Sequence, residues 1–155
     1  MTPVLVDSNV ILDVATIDLV WSAWSEAQMR RLADETTLVI NPLIYAEVSV
    51  RYETVEELEA VVPTDLFHRD YLPYEAALLA GKCFRIYRGR GGTRTSPLPD
   101  FYIGAHAAVC RYRLLTRDAA RYRSYFPSVE LIAPRDHGVV AAHQAGKGEA
   151  TCRSI

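Results

Sequence analysis

Short apolar runs that stop abruptly at polar residues constrain this chain more than any other feature. Val4-Leu5-Val6 ends at Asp7-Ser8-Asn9, Leu38-Val39-Ile40 ends at Asn41-Pro42, and Leu114-Leu115-Thr116 runs into Arg117-Asp118. Runs this brief, apolar throughout rather than alternating, read as strands buried on both faces. Between them lie segments with helical periodicity. One spans about Val20 to Glu35, with Trp21, Trp24, Met29 and Leu32 among its apolar residues. Asn41 and Pro42 suit the cap and first position of a helix reaching about Val50. A short helix is expected over Val55–Val62, stopped by Pro63. A longer one over Tyr74–Arg88 carries Ala76, Leu79, Cys83 and Ile86 on one stripe. Further along, Asp100–Arg111 reads as a helix and Val129–Ile132 as a strand, with a weak extended segment at Leu66–Leu72. Strands alternating with amphipathic helices predict an α/β domain with a central parallel sheet flanked by helices.

The 155 residues fit a single domain, with half the residues apolar and 23% charged. That domain is expected over residues 1–135, and the small polar residues from 136 to 155 read as a flexible tail. A formal charge of −2 excludes a global basic field, so any nucleic-acid contact must come from a local patch. Cys83, Cys110 and Cys152 are scattered and odd in number, which fits a reducing compartment better than a disulfide framework. With no apolar run of membrane length and no signal-like start, the expectation is a cytoplasmic protein without a membrane partner.

In an open parallel sheet, ligands bind at the carboxyl ends of the strands. Asp7 ends the first strand and Asp118 lies just past a later one, so both belong to one rim. Asp100 falls in the first turn of a helix, where the dipole favours an anion. Glu47 lies on the helix arc shared with Leu43, Ile44, Val48 and Val50, where a carboxylate is costly unless a cation or donor meets it. Each acid alone has a plainer role: Asp7 as a turn residue, Asp100 and Asp118 as helix caps, Glu47 as an arginine partner. Together they point to a divalent cation, because metal relieves the mutual repulsion of gathered carboxylates. Oxygen ligands select a hard ion, Mg²⁺ or Mn²⁺. His106 reads as a helix-face residue rather than a ligand, and His68, His137 and His143 have no partners at ligand spacing.

Four motifs carry a family resemblance. Asp7-Ser-Asn-Val-Ile-Leu-Asp13, Asn41-Pro-Leu-Ile-Tyr-Ala-Glu47-Val, Pro97-Leu-Pro-Asp100-Phe-Tyr-Ile-Gly-Ala-His-Ala and Leu114-Leu-Thr-Arg-Asp118, in this order and spacing, resemble the PIN-domain nucleases. More narrowly they resemble the VapC toxins of toxin–antitoxin pairs, from about residue 3 to Pro134. The resemblance implies a three-layer α/β/α PIN-like domain and an endoribonuclease dependent on Mg²⁺ or Mn²⁺. Asp7, Glu47, Asp100 and Asp118 match its catalytic, metal-holding acids. Asn9 and Thr116 match accessory polar positions, with Ser8 beside them, while Asp13 lies one turn beyond. The expected chemistry is in-line attack by a cation-activated water, leaving a 5′-phosphate and a 3′-hydroxyl. The resemblance further implies a VapB-type antitoxin partner and a homodimer, with Trp21, Trp24 and Tyr45 either at an interface or in the core.

The loop Arg88-Gly-Arg-Gly-Gly-Thr-Arg leads into Asp100, so Arg85, Arg88, Arg90 and Arg94 are candidates for holding an RNA backbone; pairing with other acids is the equal alternative. Arg117, Arg121 and Arg123 form a second basic cluster, whose interleaved Tyr122 and Tyr125 read as core or interface. Two other Asp-initiated chemistries fit poorly. A haloacid-dehalogenase-type phosphatase needs Asp where Asn9 stands, and Lys82 and Lys147 are badly placed for a receiver-type phosphoacceptor. The remaining alternative is a PIN-like RNA- or partner-binding module with negligible catalysis.

Overall fold

The structure, a computed structural model, describes residues 1–135. The expected tail from Asp136 onward lies outside the described residues. Five strands form one all-parallel sheet in the order β3-β2-β1-β4-β5. In chain order the elements are β1 (Val4–Val6), α1 (Ser8–Ala15), α2 (Ser22–Glu35), β2 (Leu38–Ile40), α3 (Pro42–Ser49), α4 (Val55–Val61) and β3 (Phe67–Arg69). They continue with α5 (Tyr74–Gly89), α6 (Pro99–Cys110), β4 (Arg113–Leu115), α7 (Ala120–Tyr125) and β5 (Leu131–Ile132). Helices cover both faces: the parallel sheet flanked by helices is the one expected from the alternation of elements, and the three α/β/α layers are those the PIN-domain resemblance implies. β1 and β2 are buried at every residue, which is why their sequences are apolar throughout. No helix among the described residues is long and apolar enough to cross a membrane.

Several local rules are obeyed where they were anticipated. Asn41 caps α3 by accepting from the Ile44 N–H at 3.0 Å, with Pro42 following it at the first turn. Thr54 and Glu57 form a capping box that starts α4. Others differ. The polar segment expected to be a turn after β1 is instead a helix, α1, capped by Asp7 itself. Its inner face, Val10 and Ile11, is buried; two helical turns are too short to display a clear period in the sequence. Val50 is 83% exposed, so the apolar arc of α3 is narrower than expected and centres on Ile44 and Val48. On α5 the buried stripe runs through Ala76, Ala80 and Cys83, with Leu79 and Ile86 only partly covered.

The helix layers are fitted closely around α6. Its small residues let neighbours approach, and α5 and α7 pack against it. At Gly104 a β-carbon would stand 2.3 Å from the Phe126 ring. Arg111 ends α6 in the left-handed conformation, with φ of 55°. On the opposite flank, Asp13 of α1 is 2% exposed and accepts from both Ser25 of α2 (2.8 Å) and Arg117 (2.9 and 3.0 Å). The Arg117 guanidinium also lies 5.9 Å from the centre of the Trp21 ring. This pair ties α1 and α2 to the segment that follows β4. Asp13 is therefore a strut, consistent with its expected place outside the acidic group.

Candidate active site

The sheet ladder itself delivers the first acid to the rim. One residue past β1, the Asp7 N–H donates to the Leu115 carbonyl at 2.9 Å, and one residue past β4 the Thr116 N–H donates to Ile132 at 3.0 Å. Asp7 and Thr116 therefore project from adjacent strand ends. The Thr116 hydroxyl, fully buried, donates to Asp7 Oδ2 at 2.9 Å. Asn9 bridges the same two residues, its Nδ2 lying 3.4 Å from Asp7 Oδ2 and 3.3 Å from Thr116 Oγ1, while its Oδ1 accepts from the Arg117 N–H. Asp7 Oδ1 accepts from the Ser8 N–H at 2.8 Å.

Glu47 reaches the rim from α3. Among the described residues no basic side chain pairs with it; the Ser8 hydroxyl donates to Glu47 Oε2 at 2.8 Å. Asp100 enters from the first turn of α6, where Leu98 offers no side-chain cap and Pro99 no N–H. Asp118 is exposed, and its backbone N–H is held by Thr116 Oγ1 at 3.2 Å. It does not cap α7, whose preceding residue is Ala119. Asp7, Glu47 and Asp100 thus converge from three elements, with Asp118 at the edge where its charge is felt by Asp100.

The electrostatics show the cost of that convergence. Burial pushes the Asp7 carboxyl up to about 6, and the charges of Asp100 and Glu47 push in the same direction against donors from Thr116 and Tyr122. Burial raises Glu47, with Asp100 adding to it and Ser8 opposing. Asp100 is likewise raised by burial, although the Arg121 guanidinium beside it pulls the other way.

Two residues of α7 complete the pocket and were not expected to do so. Tyr122 is 1% exposed, and its hydroxyl lies 3.0 Å from Asp7 Oδ2 and 3.5 Å from Asp100 Oδ1. Burial, together with the facing Asp7 and Asp100 charges, holds its phenol well above the ordinary value, so it stays a donor. Arg121 Nη1 donates to Asp100 Oδ2 at 3.1 Å. A usable signal was present in the sequence: Tyr122, Tyr125 and Phe126 form a buried stripe, and a buried tyrosine hydroxyl requires a partner.

The loop arginines are placed differently from expectation. Arg88 donates to the Gly92 and Arg94 carbonyls, closing its own loop, at 3.2 and 2.8 Å. Arg90 lies over the Tyr125 ring and reaches Ser124. Arg85 and Arg94 are exposed on α5 and on the loop. None of the four donates to the acids in the contacts described; the basic residue that does so is Arg121, because α7 and not the glycine-rich loop faces Asp100. His106 is buried, with Nδ1 3.0 Å from Asn41 Nδ2, and is a core residue rather than a ligand.

The donor set suits a hard divalent cation: it is all oxygen, its carboxyls are raised by burial and by one another, and among the described residues it has a single basic contact. As the side chains are placed, however, no three Asp, Glu, His or Cys groups among the described residues stand together in a cation-holding cluster. Glu47 is turned to Ser8 and Asp100 to Arg121.

No protein-family model matches the sequence, and no curated protein matches it. Solved structures do. A chain of VapBC2 from Rickettsia felis, bound to a promoter DNA fragment, aligns with a TM-score of 0.66 at 13% identity, covering 84% of this chain and 98% of that one. A chain of VapBC-1 from nontypeable Haemophilus influenzae aligns at 0.65 and 17% identity, covering 84% and 97%. A chain of FitAcB from Neisseria gonorrhoeae aligns at 0.60 and 16% identity, covering 83% and 95%. At these identities the likeness is one of fold, over nearly the whole described domain.

Proposed function

We propose that this chain is a VapC-type toxin, an endoribonuclease dependent on Mg²⁺ or Mn²⁺, cytoplasmic and paired with a VapB-type antitoxin. The observation that carries the reading is the gathering of Asp7, Glu47 and Asp100 from β1, α3 and α6 at one rim, at a visible electrostatic cost. Carboxyls raised together by burial and by one another's charge are characteristic of functional sites. The likeness to chains of toxin–antitoxin complexes supports the antitoxin partner, and the resemblance of the motifs supports RNA as substrate and a homodimer.

Asp7, Glu47 and Asp100 would hold the cation, with Asp118 at its outer side. When bound, the cation supplies a water of lowered pKa and neutralises charge on the phosphate. Thr116, Asn9 and the Ser8 N–H keep the Asp7 carboxylate in one orientation. Ser8 does the same for Glu47 through its hydroxyl. The Tyr122 ring is buried, and its hydroxyl adds a further donor to Asp7. Asp118 is exposed at the edge of the acidic group, the side from which a single strand of RNA would approach.

A mixed RNA pool tests the reading. The purified chain should cleave it with Mg²⁺ or Mn²⁺, lose cleavage in EDTA, and yield fragments with 5′-phosphates. Asp7→Asn and Asp100→Asn should each abolish the cation-dependent cleavage. Full activity in both variants, or cleavage indifferent to EDTA, would overturn it. The pairing of Asp100 with Arg121 favours the second reading, a PIN-like RNA- or partner-binding module with negligible catalysis, which predicts RNA binding without fragments.

A further inference from the structure

We propose that Arg121 is a built-in counter-ion of the acidic pocket: it occupies Asp100 until a divalent cation enters, and is then released towards the substrate phosphate. The inference rests on the nuclease reading above and concerns what the site does before it is loaded.

Among the described residues, no Lys, Arg or His pairs with Asp7 or Glu47, so Arg121 is the basic group that offsets this cluster. It does so through Asp100 alone. Both oxygens of that carboxylate face α7, Oδ2 towards Arg121 at 3.1 Å and Oδ1 towards the Tyr122 hydroxyl at 3.5 Å. Both oxygens of the carboxylate thus already have partners on α7. A divalent cation on Asp100 and a guanidinium on the same oxygen repel each other, so one must leave.

The bond to Arg121 is built to be broken. It is a single contact, and its side chains keep 38% and 35% of their exposure, a setting in which ion pairs contribute little. The contrast lies four residues earlier on the same segment. Arg117 shares its Nε–H between both oxygens of Asp13, and that acid is 2% exposed and also held by Ser25, which makes the pair a fixed strut. Two arginines four residues apart thus hold acids of very different burial. Arg121 also rests against the buried Phe101 ring, 5.8 Å from its centre. Its planar donors suit a phosphate as well as a carboxylate.

The test is a Mn²⁺ titration without RNA, followed by calorimetry or by the electron-spin resonance of the free ion, on wild type, Arg121→Gln, Arg121→Ala and Arg121→Lys. Both neutral variants should bind Mn²⁺ more tightly, by up to about fivefold, the weight of an ion pair of this exposure. Arg121→Lys, which keeps the charge, should stay close to wild type. With Mg²⁺ and RNA, the neutral variants should reach half-saturation at less Mg²⁺ but show a raised KM for RNA. Equal or weaker Mn²⁺ binding in a folded neutral variant overturns the proposal. Because the titration needs no RNA, the two readings separate. Tighter Mn²⁺ binding in a chain that never cleaves RNA keeps the counter-ion and discards the nuclease. Cleavage with unchanged Mn²⁺ affinity does the reverse, and a chain that binds no Mn²⁺ with or without Arg121 discards both.

Discussion

The hydroxyl of Tyr122, on a two-turn helix near the end of the domain, donates to Oδ2 of Asp7, the first residue past the first strand, at 3.0 Å. The two are 115 positions apart, and both are buried. The bond joins the last helix to the strand end that opens the acidic pocket, so the stability of the fold and the orientation of its most buried carboxylate are linked. Tyr122→Phe removes this donor from a charged acceptor and leaves only Thr116 and the weaker Asn9 contact on Oδ2. We expect a loss of about 1–2 kcal/mol in urea unfolding. An unchanged midpoint would mean that the hydroxyl is dispensable.

Asp7 should also make stability depend on pH, in an unusual direction. Its carboxyl rises from 3.8 to about 6 in the folded chain, so the folded state holds the proton more firmly than the unfolded one. The protonated form therefore favours folding, and this contribution is lost as pH rises from about 4 through 6. In EDTA, the cost at neutral pH is on the order of 2–3 kcal/mol. Comparing wild type with Asp7→Asn across that window isolates it: the variant should gain on wild type as pH rises. A constant difference between the two would contradict the shift.

The Arg117–Asp13 pair should respond asymmetrically. Asp13 is 2% exposed, whereas a third of the Arg117 side chain reaches solvent. Arg117→Ala leaves a buried carboxylate with only Ser25, and should cost about 3 kcal/mol. Asp13→Asn leaves an arginine that can turn to water, and should cost less. A double-mutant cycle in chemical denaturation measures both; equal costs would count against burial as the cause.

Gly104 sets the distance between α6 and the end of α7. Adding one methyl there meets the Phe126 ring at 2.3 Å, and that ring is 2% exposed with little room to retreat. Gly104→Ala should therefore lower stability by about 1–3 kcal/mol through overpacking, despite the better helix propensity of alanine. Thermal unfolding decides the sign.

Much of the acidic site was legible because its residues obey local rules. Asp7 follows an apolar triplet and Glu47 follows a capped Pro start; Asp100 opens a small-residue helix. The donors around them were not equally legible. Ser8 on Glu47 and Tyr122 on Asp7 bridge 39 and 115 positions of sequence, and no local pattern encodes such a pairing. The loop arginines illustrate the converse error: nearness in sequence to Asp100 suggested a basic wall, yet Arg88 turns back on its own loop carbonyls.

The sequence by itself determined the alternation of strands and helices, the parallel sheet it requires, and which acids lie at strand ends or first turns. These follow from short-range terms: apolar runs that must be buried, and caps that must satisfy the free backbone groups of a helix. The tertiary structure alone decided which donor meets each acid, that α7 rather than the loop faces Asp100, and that Arg121 lies on Asp100. Those choices depend on how layers settle against one another around positions such as Gly104. The Coulomb and hydrogen-bond terms that follow act over a few ångströms in space, at whatever separation in sequence.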